Sequence, residues 1–106
     1  MATHNETGKN GELIAIEWLV RNGFKLVTRN WRYAHLEIDI ICTKEEILHF
    51  IEVKTRTNDH YGLPEEAVSR KKIRNLLQAG QEYLFHQREW RRVQYDILSI
   101  TLYKNQ

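Results

Sequence analysis

The sequence predicts an α/β domain in which a mixed β-sheet is flanked by helices, with the element order αβββαβ. Two segments carry apolar residues at helical spacing, and four others are rich in β-branched and aromatic residues. Three of these four segments follow one another with short polar connections, which favours a meander covered by helices. Because 106 residues are enough for one core, we expect a single domain over residues 1–106 with residues 1–8 disordered.

The first half of the chain contains one helix and three strands. Residues 11–22 predict an amphipathic helix that stops at Gly23. Strands are predicted at 24–33, 36–42 and 47–55, with a turn or widened hairpin over residues 30–35 and the polar TKEE between the second and third strands. The helix residues expected to share one buried face are Leu13, Ile16, Leu19 and Val20.

The second half predicts a loop, a helix and a last strand. The polar segment 56–64 contains Gly62 and Pro64 and predicts the loop. Ser69 is a candidate N-cap for a long second helix, and residues 93–103 predict the final strand. The apolar positions of this helix are Ile73, Leu76, Leu77, Gly80 and Leu84.

Composition excludes several classes of protein. The chain is 42% hydrophobic and 28% charged, as in a globular domain, and its formal net charge of +2 gives no basic tail for nucleic acid. It has no apolar run of roughly 20 residues and no apolar signal-peptide core near the N-terminus, so we expect a cytoplasmic protein. The single Cys42 lies in an apolar strand and is expected to be an inert buried thiol.

Charged residues interrupt the two most apolar strands. Since side chains alternate along a strand, Glu37, Asp39 and Ile41 are expected on one face of the second strand, and Ile38 and Ile40 on the other. The acid at position 39 is therefore flanked by core residues, which is unusual for a simple buried strand.

The third strand repeats this pattern. Phe50, Glu52 and Lys54 are expected to share a face, and antiparallel pairing would bring Glu52 beside Asp39. Two adjacent carboxylates repel unless a cation lies between them, and hard oxygen ligands suit Mg²⁺ or Mn²⁺. Such an ion, with Lys54 near the attacking water, would serve phosphodiester hydrolysis. The alternative is a salt-bridge ladder on a solvated face of the sheet.

Basic and acidic residues elsewhere favour a site for a phosphate-containing substrate. Glu12 lies on the helix face that points toward the sheet and is a candidate third acid. The start of the second helix carries four cations that oppose the helix dipole, as expected where an anion binds: Arg70, Lys71, Lys72 and Arg74. The stretch RNWRY, 29–33, combines two arginines with two aromatic residues that can grip nucleic acid, although Trp31 also suits a core position.

Fragments spread over about residues 8–100 resemble the YraN-like family of small predicted endonucleases. The fragments are GKNGELIAIEWLVRNGFKLVTRNWR, EIDII, FIEVKTR, YGLPEEAVSRKK and YDIL, in that order. The family is similar to archaeal Holliday junction resolvases in the restriction-endonuclease-like superfamily. The resemblance therefore implies a restriction-endonuclease-like fold and a metal-dependent nuclease.

The resemblance also implies roles for individual residues. It makes Asp39 the first acid, Glu52-Val53-Lys54 the acid-x-lysine triplet and Glu12 the helix glutamate, with Lys72 and Asp96 matching further charged positions. The catalytic set implied is Asp39, Glu52, Lys54 and Glu12; the metal ligands are Asp39, Glu52 and Glu12; and the nucleic-acid-binding residues are Arg70, Lys71, Lys72, Arg74, Arg32 and Arg56. Leu36 stands where the family usually has glycine.

The function expected from these observations is a Mg²⁺- or Mn²⁺-dependent nuclease acting on DNA rather than RNA, with branched or damaged DNA as candidate substrates. A homodimer is expected by analogy with resolvases, which use two sites to cut two strands. The alternatives are a nucleic-acid-binding module of the same fold with little or no catalysis, and a protein-interaction domain whose acids are solvated.

Overall fold

A computed structural model describes residues 4–57 and 70–103. Its elements follow the predicted order, so the α/β class with a mixed sheet flanked by helices is confirmed. They are α1 (His4–Arg21), β1 (Lys25–Tyr33), β2 (Leu36–Lys44), β3 (Ile47–Thr57), α2 (Arg70–His86) and β4 (Val93–Leu102). Residues 4–8, expected to be disordered, belong to α1. Most of the predicted loop and the Ser69 cap lie outside the described residues.

The sheet has the strand order β1-β2-β3-β4. The first three strands form the predicted antiparallel meander, and β4 pairs in parallel with β3 in an unbroken register from Leu48↔Val93 to Thr57↔Leu102. Glu45 and Glu46 both have positive φ, of 52° and 67°, as a two-residue hairpin of type I′ requires. The parallel pairing of β4 requires the chain to cross over, and α2 lies in that crossover.

Each face of the sheet is covered by one helix, and each interface has its own core. The core beneath α2 contains Ile38, Ile41, Leu48, Phe50, Leu76, Ala79 and Tyr83. The core beneath α1 contains Ala15, Leu19, Ile40, Cys42 and Ile51. Neither helix in the described ranges has the length and apolarity needed to span a membrane.

The predicted buried faces of the helices were partly wrong. Leu13 and Val20 of α1 are 52% and 54% exposed, whereas the small residues Gly11 and Ala15 are buried with Leu19. A Cβ on Gly11 would overlap the side chain of Thr55 on β3, so the missing side chain lets α1 approach the sheet closely. In α2, Leu76 is buried as predicted, but Ile73 and Leu77 are exposed.

Strand β2 changes faces in its middle, which contradicts the predicted alternation. Ile38 lies in the α2 core and Ile40 in the α1 core, although regular alternation would place both on one face. Strand β1 changes faces at the same level, because Arg29 contacts Glu12 of α1 whereas Trp31 packs against the α2 core. Between these two residues, Asn30 adopts a left-handed φ of 52°. The turn predicted to begin at Asn30 therefore starts later, because residues 30–33 belong to β1. The irregularity therefore spans both strands, at Asn30 and Asp39.

Candidate active site

Asp39 lies where β2 separates from β3. The β2–β3 pairing begins at Ile40↔Ile51, and one residue earlier the Asp39 side chain takes the place of a backbone partner. Its Oδ2 accepts a hydrogen bond of 2.8 Å from the backbone N–H of Val53. This bond holds the Asp39 carboxylate against β3, next to the residue that precedes Val53, which is Glu52.

Glu52 and Lys54 lie on the α2 side of the sheet. Phe50 belongs to the α2 core and Ile51 to the α1 core, so the alternation predicted for β3 is confirmed. The register with β4 is unbroken through this stretch, so Glu52 and Lys54 follow Phe50 on the same face. A carboxylate and an ammonium group thus lie two residues apart on one strand, beside the carboxylate of Asp39.

The two carboxylates share an unfavourable environment. Burial raises the pKa of Asp39, and the nearby charge of Glu37 raises it further, while the Val53 hydrogen bond and Lys72 lower it. Burial also raises the pKa of Glu52, which the charges of Asp39 and Glu37 raise further and that of Lys72 lowers. Partly buried acids that repel each other are stabilised by an added cation. This pair is therefore suited to holding a divalent ion.

Glu12 approaches Asp39 from the α1 side. Its Oε1 is buried and has no hydrogen-bond partner among the described residues; Arg29 Nη2 lies 3.7 Å away, too far for a hydrogen bond. Burial raises the pKa of Glu12, and the charge of Asp39 raises it further, whereas Arg29 and the side chain of Asn30 lower it. Asp39 therefore interacts with Glu12 on one side and Glu52 on the other.

The structure does not bring the three predicted metal ligands into one ready-made metal site. Within residues 4–57 and 70–103, no three Asp, Glu, His or Cys side chains are arranged to hold a metal ion by themselves. Asp39 lies at the point where β2 changes faces, between the α1 and α2 layers. Mg²⁺ commonly takes one or two carboxylates, with waters and substrate oxygens completing its shell. Two of these acids are sufficient for such a site.

Predicted cations lie on two sides of the acids. Lys72, near the start of α2, lowers the pKa of both Asp39 and Glu52, so this end of the helix lies near the pair. Arg70, Lys71 and Arg74 are exposed around it. On the other side, Arg32 Nη2 lies 3.6 Å from Glu37 Oε1 and remains largely exposed. Arg56 differs from the rest, since its Nε is buried.

Two charged residues have roles that the sequence did not indicate. Asp96, matched to the family through the fragment YDIL, accepts a hydrogen bond of 2.8 Å from Gln94 and lies 2.9 Å from Nδ1 of the buried His49. Asp96 therefore connects Gln94, on its own strand β4, with the buried His49 on β3. Glu37 affects the pKa of all three acids. The sequence feature that could have indicated this effect is the position of Glu37 two residues before Asp39.

Other candidate features lie apart from the acids. Cys42 is buried, and burial, with a contribution from the charge of Asp96, raises its pKa to about 12, as expected for an inert thiol. A pocket of about 580 Å³ lies where β1 begins and β2 turns into β3. It contains none of the predicted site residues and is lined by Gly23, Lys25, Thr43, Lys44, Glu45, Glu46, Glu89, Trp90, Arg91 and Arg92.

The raised pKa values predict how stability depends on pH. Asp39, Glu52 and Glu12 bind protons more readily in the folded protein than in the unfolded chain, so their contribution is favourable at low pH. It is lost as the pH rises above the ordinary carboxyl range and through the raised values. In metal-free buffer, Asp39→Asn should therefore melt higher than the wild type near neutral pH.

The advantage of Asp39→Asn should shrink as the pH falls, because both proteins are then uncharged at position 39. Melting curves at several pH values test this, with Glu17→Gln on the exposed face of α1 as the control. A variant that melts lower than the wild type at neutral pH would show that the Asp39 charge stabilises the fold.

Comparison with known proteins matches most of the chain, including the candidate site, to one family. A model described as "Uncharacterised protein family UPF0102" matches residues 11–100. A UPF0102 protein of Bacteroides thetaiotaomicron is 45% identical over 84 residues, which are 79% of this chain and 69% of that protein. A UPF0102 protein of Flavobacterium johnsoniae is 40% identical over 104 residues, which cover 94% of this chain and 85% of that protein. The matched range includes Glu12, Asp39, Glu52, Lys54 and Lys72.

Proposed function

The chain belongs to the UPF0102 family, and we propose that it is a Mg²⁺- or Mn²⁺-dependent nuclease that hydrolyses phosphodiester bonds in DNA. The family membership agrees with the YraN-like resemblance; the restriction-endonuclease-like fold and the chemistry remain part of this proposal. The observation that carries it is the pair Asp39 and Glu52, two partly buried carboxylates with raised pKa values, of which Asp39 raises that of Glu52 and Lys72 lowers both, with Lys54 two residues along β3 from Glu52.

Each residue of the proposed site has its own role in hydrolysis. Asp39 and Glu52 would hold the metal, which when bound activates a water molecule and neutralises charge on the phosphate. Lys54 orients the attacking water or donates to a phosphate oxygen as negative charge develops there. Glu12, with a buried oxygen that lacks a hydrogen bond, can accept one from a water molecule at the site. Lys72 and its neighbours attract the backbone of the substrate.

A cleavage assay tests the proposal directly. Purified protein is incubated with single-stranded, duplex, flap and four-way-junction DNA in Mn²⁺, in Mg²⁺ and in EDTA, with Asp39→Asn in parallel. We expect cleavage that requires the metal and is absent from the variant. If no substrate is cut, or if Asp39→Asn cuts as fast as the wild type, the proposal is wrong.

A second candidate is a nucleic-acid-binding module with little or no catalysis. It is favoured by the lack of three metal-binding side chains in one place within the described ranges. Calorimetry with Mn²⁺ separates the two, because a nuclease of this kind binds the ion at Asp39 and Glu52 whereas a pure binding module has no need to.

The basic start of α2 predicts a salt dependence of DNA binding. Lys71 and Arg74 are exposed there, whereas Lys72 is the lysine that lowers the pKa of Asp39 and Glu52, so removing the first two should affect phosphate binding more than the carboxylate pair. The variant Lys71→Ala/Arg74→Ala should bind duplex DNA more weakly. Its slope of log affinity against log salt should be shallower by about 0.9 for each phosphate group that the variant no longer neutralises.

Fluorescence anisotropy at a series of salt concentrations measures this slope. Lys25→Ala is the matched control, because Lys25 is an exposed lysine at the start of β1, paired with Thr43, which lies four residues beyond Asp39 along β2. Equal slopes for the wild type and the double variant would remove the start of α2 from the binding surface.

A further inference from the structure

A chain of aromatic rings runs from the core beneath α2 to the surface. Phe50 and Tyr83 pack edge to face at 5.6 Å between ring centroids, and Tyr83 packs in the same way against Trp31 at 5.4 Å. Trp31 and Tyr33 are nearly parallel, with an angle of 11° and a centroid separation of 6.4 Å. The inner rings are held by the core, so they fix the orientation of Tyr33.

The outer end of this chain is exposed. The Tyr33 ring lies 5.6 Å from His86, and His86 lies 5.4 Å from Phe85. Tyr33 is 46% exposed and Phe85 is 62% exposed. We call Tyr33, Phe85 and His86 the aromatic surface. Adjacent exposed rings form an apolar patch of the kind that can bind another molecule.

An arginine borders the aromatic surface. Arg88 lies over the Phe85 ring at 4.9 Å and donates a hydrogen bond from Nε to the Phe85 carbonyl oxygen. Aromatic rings combined with an arginine favour a ligand that has both flat rings and negative charge. A neutral apolar protein surface would not need a cation beside the rings.

The aromatic surface lies close to the acids along the sheet. Tyr33 pairs with Leu36, and Asp39 is three residues further along β2, at about 3.3 Å per residue or roughly 10 Å. Tyr33 lies on the α2 side of the sheet, since it stacks on Trp31 and contacts His86, and Lys72 of α2 lowers the pKa of both Asp39 and Glu52 from that side. A single strand of nucleic acid can therefore contact both places within a few nucleotides.

We infer that the aromatic surface binds unpaired nucleobases by stacking, and so directs the site toward DNA with single-stranded segments. This inference rests on the proposed nuclease function, since it assigns a substrate class to the same site. In an intact duplex the base faces are covered by neighbouring bases. Tyr33 and Phe85 can therefore stack only on bases that are unpaired, as in a single strand, a flap or an opened junction.

Binding measured in EDTA tests the inference separately from catalysis. The probes are a labelled oligothymidylate, an oligomer of the same length and charge whose bases are replaced by abasic sites, and a duplex. Tyr33→Leu should weaken oligothymidylate binding by about 5- to 150-fold and leave binding of the abasic oligomer and the duplex nearly unchanged. Tyr33→Phe, which keeps the ring, should bind like the wild type.

Tyr103→Leu is the matched control, because it removes another exposed tyrosine ring outside the aromatic surface. Thermal melting confirms that each variant is folded, and Phe85→Leu repeats the test at a second ring. Equal reductions in affinity for all three probes, or no reduction for any, would overturn the inference. A change in oligomeric state without a change in DNA affinity would identify the surface as a protein contact and also overturn it.

The two proposals can fail separately. Base-dependent binding without metal-dependent cleavage would support the stacking surface and contradict the nuclease. Cleavage in which Tyr33→Leu keeps the wild-type ratio of single-stranded to duplex rates would support the nuclease and contradict the stacking surface.

Discussion

Lys54→Ala should lower the rate of metal-dependent DNA cleavage by about 100- to 10,000-fold, the range expected for removal of a positioned acid–base or charge-stabilising group. Lys54 lies two residues from Glu52 on the same face of β3, so its ammonium group is near the proposed metal. Its charge matters most when negative charge develops on the phosphate. We therefore expect kcat to fall while the affinity for DNA changes little.

Single-turnover cleavage and DNA binding in EDTA, measured on the same preparations, separate rate from affinity. Lys71→Ala is the control, because it removes an exposed lysine from α2 and should affect binding more than rate. A Lys54→Ala variant that cleaves within a few-fold of the wild type would exclude Lys54 from the chemistry.

Asp39→Asn should abolish metal binding and cleavage while preserving the fold. The amide oxygen of asparagine can still accept the hydrogen bond from Val53, so the local structure near β3 is kept and only the charge is removed. DNA affinity should be unchanged or slightly higher, because one negative charge near the phosphates is absent from the variant. Calorimetry with Mn²⁺, cleavage and DNA binding measure the three effects.

Asp39→Ala provides the comparison, since it removes the acceptor as well as the charge. It should melt lower than Asp39→Asn because the Val53 N–H is left without an acceptor, at a cost of about 1–3 kcal/mol for a buried group. If Asp39→Asn and Lys54→Ala both melt far below a wild type that shows no metal-dependent cleavage, these residues have a structural role and the nuclease proposal should be abandoned.

Regular periodicity predicted the parts of the site that lie on regular structure. The element order followed from the spacing of apolar residues along the chain. The shared face of Phe50, Glu52 and Lys54 followed from strand alternation, because β3 pairs without interruption with β4. Glu12 was expected to face the sheet, and its carboxylate is indeed largely buried, with 20% of the side chain exposed.

The sequence did not predict the change of faces in β2, because the alternation rule assumes an uninterrupted strand. Asparagine tolerates a left-handed backbone better than most residues, so Asn30 was the one local signal available. The buried face of α1 was mispredicted for another reason. Close packing against β3 selects the small Gly11 and Ala15, which contribute little to a hydrophobic pattern, while Leu13 and Val20 remain outside.

The irregularity at Asn30 also affects how β1 meets other chains. Strand β1 lies at the edge of the sheet, where unpaired backbone groups can recruit a strand from another molecule and start aggregation. Its pairing with β2 shifts register between Leu26 and Thr28, and Asn30 adopts a left-handed φ within the strand. A foreign strand cannot follow such an edge for its whole length. The distortion that aims Asp39 thus also protects this edge against intermolecular β-pairing.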